Sequence, residues 1–415
     1  MFDAIVVGAR CAGSPTAMLL ARMGYGVLLV DRATFPSDTL STHYITPDGT
    51  ARLKEWGLFE RVLATGVEPY RGIARSIQGF SIPPDRSEPE AIAPRRTVLD
   101  KILVDAAREA GAEVREGVSV DGLIVEDGSV AGIRAHRGED AFEERARIVI
   151  GADGRESFVA RQVNAPEYNE GGGTTAGYYT YFRGFTHDGP ELYLNDGAAH
   201  FVFPTNDGEV CVGVEFVAER FKEFRGDVEG NFRADLETFG PLAERFRRAE
   251  RTSRIFGLAP HKGFYRKPFG PGWALVGDAG YYRDPLLGQG INDAFRDAEG
   301  LTEALGAVLA GRETFEVALG AYETARNEAT FMLYGLTNLL CQDLNPSPEV
   351  LQMMMSGPRL LPLRGDRCRQ PVAHWADGPA RRPPLPGRHE YLWGPRQRDR
   401  VALPLRVPRH RVLVD

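Results

Sequence analysis

Three short glycine-bearing segments, each directly behind a run of apolar residues, limit what this chain can fold into more than any other feature. The first is Gly8-Ala9-Arg10-Cys11-Ala12-Gly13, behind the continuously apolar Ala4–Val7. The second is Gly151-Ala152-Asp153-Gly154-Arg155, behind Arg147–Ile150, and the third is Gly277-Asp278-Ala279-Gly280, behind Trp273–Val276. Short uninterrupted apolar runs are what strands buried on both faces of a parallel sheet require. Around the first motif the pattern predicts a β-α-β unit, with a strand at 4–7, a helix over 14–23, a stop at Gly24 and a second strand at 27–30. Pro15 is compatible with that helix because it falls in the first turn, where backbone donors lack partners. In such a unit Gly8 supplies the backbone conformation of the turn and Gly13 lets helix and strand approach. A dinucleotide pyrophosphate then sits at the positive end of the helix. Asp31, 18 residues beyond Gly13, stands where an acid accepts a hydrogen bond from an adenosine ribose. Arg10 occupies a position where the usual fingerprint has glycine, and its guanidinium points either at a phosphate or outward.

The remaining chain divides by texture. Helical spacing predicts a helix over 47–66 and another over 97–110, whereas 71–93, rich in proline and polar residues, reads as an excursion from the sheet. Strands follow at 113–120, 123–125 and 130–135, the last two joined by the turn signal Asp127-Gly128. Between about 170 and 260 the segments 177–185, 191–194, 199–204 and 209–216 are short, aromatic or β-branched and punctuated by Asn-Asp-Gly turns. These predict an antiparallel sheet, followed by helix between 226 and 249. A long helix is expected over 290–309. The fold class is therefore α/β (α+β overall), a Rossmann-type domain with an inserted antiparallel-sheet substrate domain. Residues 1–70, 93–165 and 261–330 form the first, and 71–92 with 166–260 the second. A helical segment at 331–357 precedes a tail at 358–415 that holds 13 arginines, ten prolines and no lysine. That tail reads as disordered, as a basic interaction segment, or as a departure from the ancestral reading frame.

Composition narrows the function classes. The formal net charge of -7 argues against a nucleic-acid partner, which calls for a basic surplus. No apolar run reaches the roughly 18 residues of a membrane span, and no leader pattern opens the chain. The four cysteines, Cys11, Cys211, Cys341 and Cys368, have neither CxxC nor metal-ligand spacing. A cytoplasmic protein with free thiols and no metal site is expected.

Taken in order, with Asp284-Pro285-Leu286-Leu287-Gly288-Gln289-Gly290-Ile291-Asn292 following the third motif, the three segments resemble the FAD-binding superfamily. That superfamily includes class A flavoprotein monooxygenases, flavin-dependent halogenases and geranylgeranyl reductases, and the resemblance spans roughly residues 1 to 330. It implies that Gly8, Arg10, Gly13, Asp31 and its neighbour Arg32 hold the adenosine and pyrophosphate end of FAD. Arg96, or Arg95 beside it, would reach the phosphate or ribose region, and Asp278 a ribityl hydroxyl, with Asp153 and Gly154 supporting the site from beneath. Gly288 and Gly290 would let the backbone lie against the isoalloxazine edge. The helix from Ile291, with Asn292, would aim its N-terminal dipole at the flavin N1/C2=O region.

The loop Asp38-Thr39-Leu40-Ser41-Thr42-His43 approaches the flavin in the resembling enzymes, so Thr42 or His43 touches cofactor or substrate there. His43 is the single acid/base candidate, against a packing role. Alternation puts Tyr179 and Tyr181 on one sheet face and Tyr178 and Phe182 on the other. Tyr179 and Tyr181, with Phe201 and Phe203, are the candidate substrate wall. The leading expectation is an NAD(P)H-driven monooxygenase in which molecular oxygen forms a flavin C4a-hydroperoxide and is delivered to an aromatic or apolar organic substrate. NAD(P)H would bind transiently over the flavin, or a separate flavin reductase would supply electrons. The alternatives are a geranylgeranyl-reductase-like enzyme reducing alkenes, and a flavin-binding protein without catalysis. A halogenase fits less well, because no Trp-x-Trp-x-Ile-Pro segment is present.

Overall fold

The apolar runs behind the three glycine motifs become adjacent parallel strands. Phe2–Val7 lies at the centre, between Asp140–Gly151 and Val27–Asp31, with Trp273–Leu275 and Glu113–Glu116 next outward on either side. Val7 is in register with Gly151, and Gly151 with Leu275. All three motifs therefore emerge level with one another at the carboxyl edge of the sheet, the edge at which open α/β sheets bind ligands. The computed structural model describes residues 1–355, which belong to one compact unit. The tail expected at 358–415 lies outside the described residues.

Both faces of this sheet are covered, as its apolar strands demand. Ala4, Val6, Val27 and Leu29 pack with Met18, Leu103, Phe295 and Leu301 from the helices Gly13–Arg22, Arg96–Glu109 and Gly290–Leu309. Ile5, Val7, Leu28 and Val30 point the other way, against Leu123, Ile133 and Val159. The strand Asp140–Gly151 serves two ladders. Its first half pairs antiparallel with Ser129–Arg137, and its second half parallel with Phe2–Val7.

The second large sheet is mostly antiparallel and runs through Thr175–Arg183, Glu209–Val217, Ala198–Pro204 and Glu191–Asn195. Alternation sorts its side chains as expected. Tyr178, Phe182, Val212 and Phe216 pack under the helices between 221 and 248, against Phe224, Phe232 and Leu242. Tyr179, Tyr181, Phe201, Phe203 and Cys211 form the opposite face, with Tyr44 and Tyr70 against them.

Several expected elements differ in detail. The helix read over 47–66 is two, Pro47–Glu55 and Phe59–Leu63, because Gly57 takes a left-handed φ of 76° between them. The strand read over 113–120 is interrupted in the same way at Gly117, with φ 70°. The excursion at 71–93 is partly strand: Ala74–Ile77 joins the antiparallel sheet by pairing parallel with Glu191–Asn195, and Phe80–Ile82 folds back on it. The helical stretch at 226–249 is two short helices, Val228–Thr238 and Gly240–Arg248, preceded by a third, Phe221–Gly226. The expected boundary after residue 330 falls inside one continuous helix, Phe315–Leu340. Among the described residues no helix is long and apolar enough to cross a membrane, no acid, His or Cys cluster suits a metal, and Cys11, Cys211 and Cys341 are buried free thiols.

Candidate active site

The three motifs meet through their smallest residues. Gly8 has φ 104°, and a Cβ placed on it would lie 2.4 Å from the Ala152 carbonyl oxygen; one on Gly13 would lie 1.8 Å from the carbonyl oxygen of Gly8. A Cβ on Gly277 would come within 2.7 Å of Ala12. First and second motifs are thus in backbone contact, and the third packs on the Ala12 methyl, with no room for a side chain at these glycines. Among the described residues, the helix Gly13–Arg22 begins with no side-chain cap, and the Ser14 hydroxyl in its first turn is buried without a partner. Asp31 closes the turn from the next strand, its carboxylate accepting from Ala9 N–H at 2.6 Å and Ala33 N–H at 2.7 Å. Arg32 beside it is exposed.

Behind this turn lies a charge cluster. Asp100, wholly buried, accepts from Arg10 at 2.6 Å and from Arg96 through both nitrogens of a fork at 3.0 and 3.1 Å. Two guanidinium groups share one carboxylate, which leaves a positive surplus beside the glycine turn and an uncapped helix start. Arg10 also donates to the Ser37 hydroxyl at 2.8 Å, so it turns neither fully outward nor freely into the turn. Arg95 points elsewhere: it pairs with Glu209 and Asp38, and its guanidinium lies 3.6 Å from the ring centre of Tyr181. Of the two adjacent arginines, Arg96 is therefore the one on the side of the motifs.

Asp278, on the turn Gly277–Ala279, is open to solvent on a floor crowded by protein. That crowding and the nearby Asp293 push its carboxyl up to about 6, against the pull of Arg96 and Arg155. Asp153 does different work. Its carboxylate accepts from the Ser157 hydroxyl and from Phe158 and Val159 N–H, so it caps the helix Phe158–Gln162, while Gly154 turns the chain at φ 80°.

Asp284 opens the loop that leads to the Gly290–Leu309 helix. It accepts from Thr175 N–H and hydroxyl, both at 2.8 Å, and from Leu286 N–H at 3.1 Å. Gly288 follows in the left-handed region at φ 63°, facing Tyr44 and Thr42. The helix starts at Gly290 without a side-chain cap, with Ile291 in the core. Asn292 Oδ1 accepts from Thr46 N–H at 3.0 Å and Thr46 hydroxyl at 2.9 Å, while its buried Nδ2 has no partner among the described residues.

His43 lies at the sheet side of this loop. It is fully buried with a left-handed φ of 66°, and its Nε2 is 2.6 Å from the Tyr181 hydroxyl. Burial first, then Arg95 and Arg96, hold its pKa well below the usual imidazole value, so the ring is neutral. Tyr179 takes Ser41 N–H at 3.0 Å. The four aromatic residues of the expected wall share one face, and none is more than 5% exposed. Sequence reasoning overlooked Asp100, Thr46, Thr175 and Tyr44. Asp100 had a signal, its position four residues after Arg96 on a helix; the others depend on contacts between distant segments.

The unpartnered Ser14 hydroxyl and Asn292 Nδ2, the two uncapped helix starts and the glycine cradle suit a dinucleotide with an attached ring system, which would satisfy those donors. Residues 1–332 match the family described as "FAD binding domain". A digeranylgeranylglycerophospholipid reductase from Methanosarcina mazei is 31% identical over 71% of this chain and 72% of its own. Among solved structures, a flavin-dependent brominase superposes with a TM-score of 0.77 at 20% identity, covering 86% of this chain and 91% of its own. A probable FAD-dependent monooxygenase from Pseudomonas aeruginosa gives 0.73 at 20% identity, with 86% and 99% covered. The chain belongs to the FAD binding domain family and is an FAD-dependent oxidoreductase.

Proposed function

We propose that the protein is a flavin-dependent reductase that takes electrons from NAD(P)H and saturates a carbon–carbon double bond of an apolar substrate. The observation that carries this reading is the 31% identity, over 71% of the chain, to a reductase of prenyl lipids. When bound, FAD supplies a hydride to one carbon of the double bond, and the protein must supply a proton to the other. On this reading Gly8, Gly13 and the start of the first helix receive the pyrophosphate, with Arg10, Arg32 and Arg96 supplying positive charge and Asp31 the ribose contact. Asp278 takes a ribityl hydroxyl, and Asp153 and Gly154 keep the second motif in place. Gly288, Gly290, Ile291, Asn292 and Thr42 border the ring.

Tyr179, Tyr181, Phe201 and Phe203 form the apolar wall toward the substrate, and their near-complete burial keeps water away. Tyr181 is the proton donor of this reading, held by neutral His43 at 2.6 Å. His43→Asn and Tyr181→Phe then slow alkene reduction while leaving flavin reduction by NADPH intact, a split that stopped-flow absorbance reads directly.

The dry aromatic wall favours a second reading, a monooxygenase that consumes molecular oxygen and uses NAD(P)H directly or through a separate flavin reductase. One experiment separates the two. Reduce the purified enzyme anaerobically with NADPH, then add a geranylgeranyl lipid either under nitrogen or together with oxygen. Reoxidation by the lipid under nitrogen, with a saturated product, supports the reductase. No reoxidation by the lipid under nitrogen, and an oxygenated lipid once oxygen is present, overturns it.

A further inference from the structure

Glu215 projects from the strand Glu209–Val217 onto the same face as Tyr179 and Tyr181, opposite Gly177 and Ala199. It is 4% exposed, and its Oε2 has no hydrogen-bond partner among the described residues. Its charged neighbour is another acid, Asp284, while Thr175 stands beside both. From the end of the Phe315–Leu340 helix, Cys341 packs into the same corner with Ala199, Leu286 and Leu340. Burial, then Asp284 and Glu215, push the Cys341 thiol up, so it remains protonated. Among the described residues, the titratable groups facing Glu215 are thus Asp284 from the loop and Cys341 from the helix end, and neither is a cation. Two buried carboxylates without a counter-ion are not stable together, so one must hold a proton. Asp284 accepts three hydrogen bonds whereas Glu215 Oε2 has no partner among the described residues, so the proton belongs to Glu215.

We propose that Glu215 is a positioning residue for the Asp284–Asn292 loop: as a neutral acid it lets Asp284 keep its bonds to Thr175 and Leu286, and its ionisation drives Asp284 and the loop off the sheet. The inference rests on the reading above in which that loop borders the flavin ring. Burial and Asp284 push the Glu215 carboxyl up to about 8. An acid raised in the closed state and ordinary in an opened one favours closure at low pH. That preference fades from about pH 5 upward and is exhausted above about 8.

The test compares wild type with Glu215→Gln and Glu215→Leu between pH 6 and 9. FAD affinity is measured by flavin fluorescence, and alkylation of Cys341 by iodoacetamide with peptide mass spectrometry. Wild type is expected to lose about tenfold in FAD affinity across that range, with the neutral variants flat. At pH 9, Cys341 in wild type is expected to react about tenfold faster than in either variant, a comparison at one pH that cancels the thiol's own titration. Equal alkylation in wild type and both variants overturns the proposal. Faster wild-type alkylation with unchanged FAD affinity supports the role of Glu215 and refutes the placement of the loop beside the flavin. Two replacements guard against a misfolded variant.

Discussion

At Gly13 the space for a side chain ends: an added methyl would overlap the Gly8 carbonyl oxygen at 1.8 Å, and the helix would have to leave the strand. Gly13→Ala is therefore expected to purify with little or no bound flavin, read as the ratio of 450 to 280 nm absorbance. Asp100 is the converse case, a buried residue whose loss leaves two arginines without their carboxylate. Asp100→Ala should destabilise the fold by about 3–5 kcal/mol in urea unfolding. At His43 the sign of the pH dependence follows from burial. The folded ring stays neutral well below its usual value, so the unfolded chain takes up the proton first, and stability falls as pH drops below 6.5. His43→Asn tolerates the left-handed φ of 66° and removes the titrating group. Its unfolding free energy in urea should change less between pH 7 and 5 than that of wild type, by up to about 1.4 kcal/mol per pH unit.

The elements that the sequence reveals best are those with a local stop signal and a full apolar stripe. The first helix was expected at 14–23 and runs Gly13–Arg22, and the helix expected at 290–309 runs Gly290–Leu309. Elements whose partners are remote were harder to read. Ala74–Ile77 is a strand because Glu191–Asn195 lies beside it, and nothing within its own four residues says so. The junction between the helix start at Gly290 and the segment at Thr46 is of this kind, made by Asn292 through two hydrogen bonds. Asn292→Ala should free the segment around Thr46 and weaken FAD binding about tenfold, the loss of one to two buried hydrogen bonds. Isothermal titration with FAD measures this.

For the whole molecule, family match and compact unit end near each other, at residues 332 and 357. A chain of residues 1–357 is accordingly expected to bind FAD as the full chain does and to melt within a few degrees of it. Loss of flavin binding on that truncation would show that the arginine-rich remainder belongs to the working enzyme.

The sequence alone determined the parallel strands, the three turns behind them and the alternation of the aromatic sheet, because each depends on the spacing of apolar residues and glycines within a few positions. That Arg96 rather than Arg95 faces the motifs, that His43 reaches Tyr181 and that Glu215 meets Asp284 became visible in three dimensions alone. Those outcomes are pairings between residues that are neighbours in space alone. Which charge finds which partner depends on the geometry that two sheets and the loops between them impose together, and no local pattern encodes it.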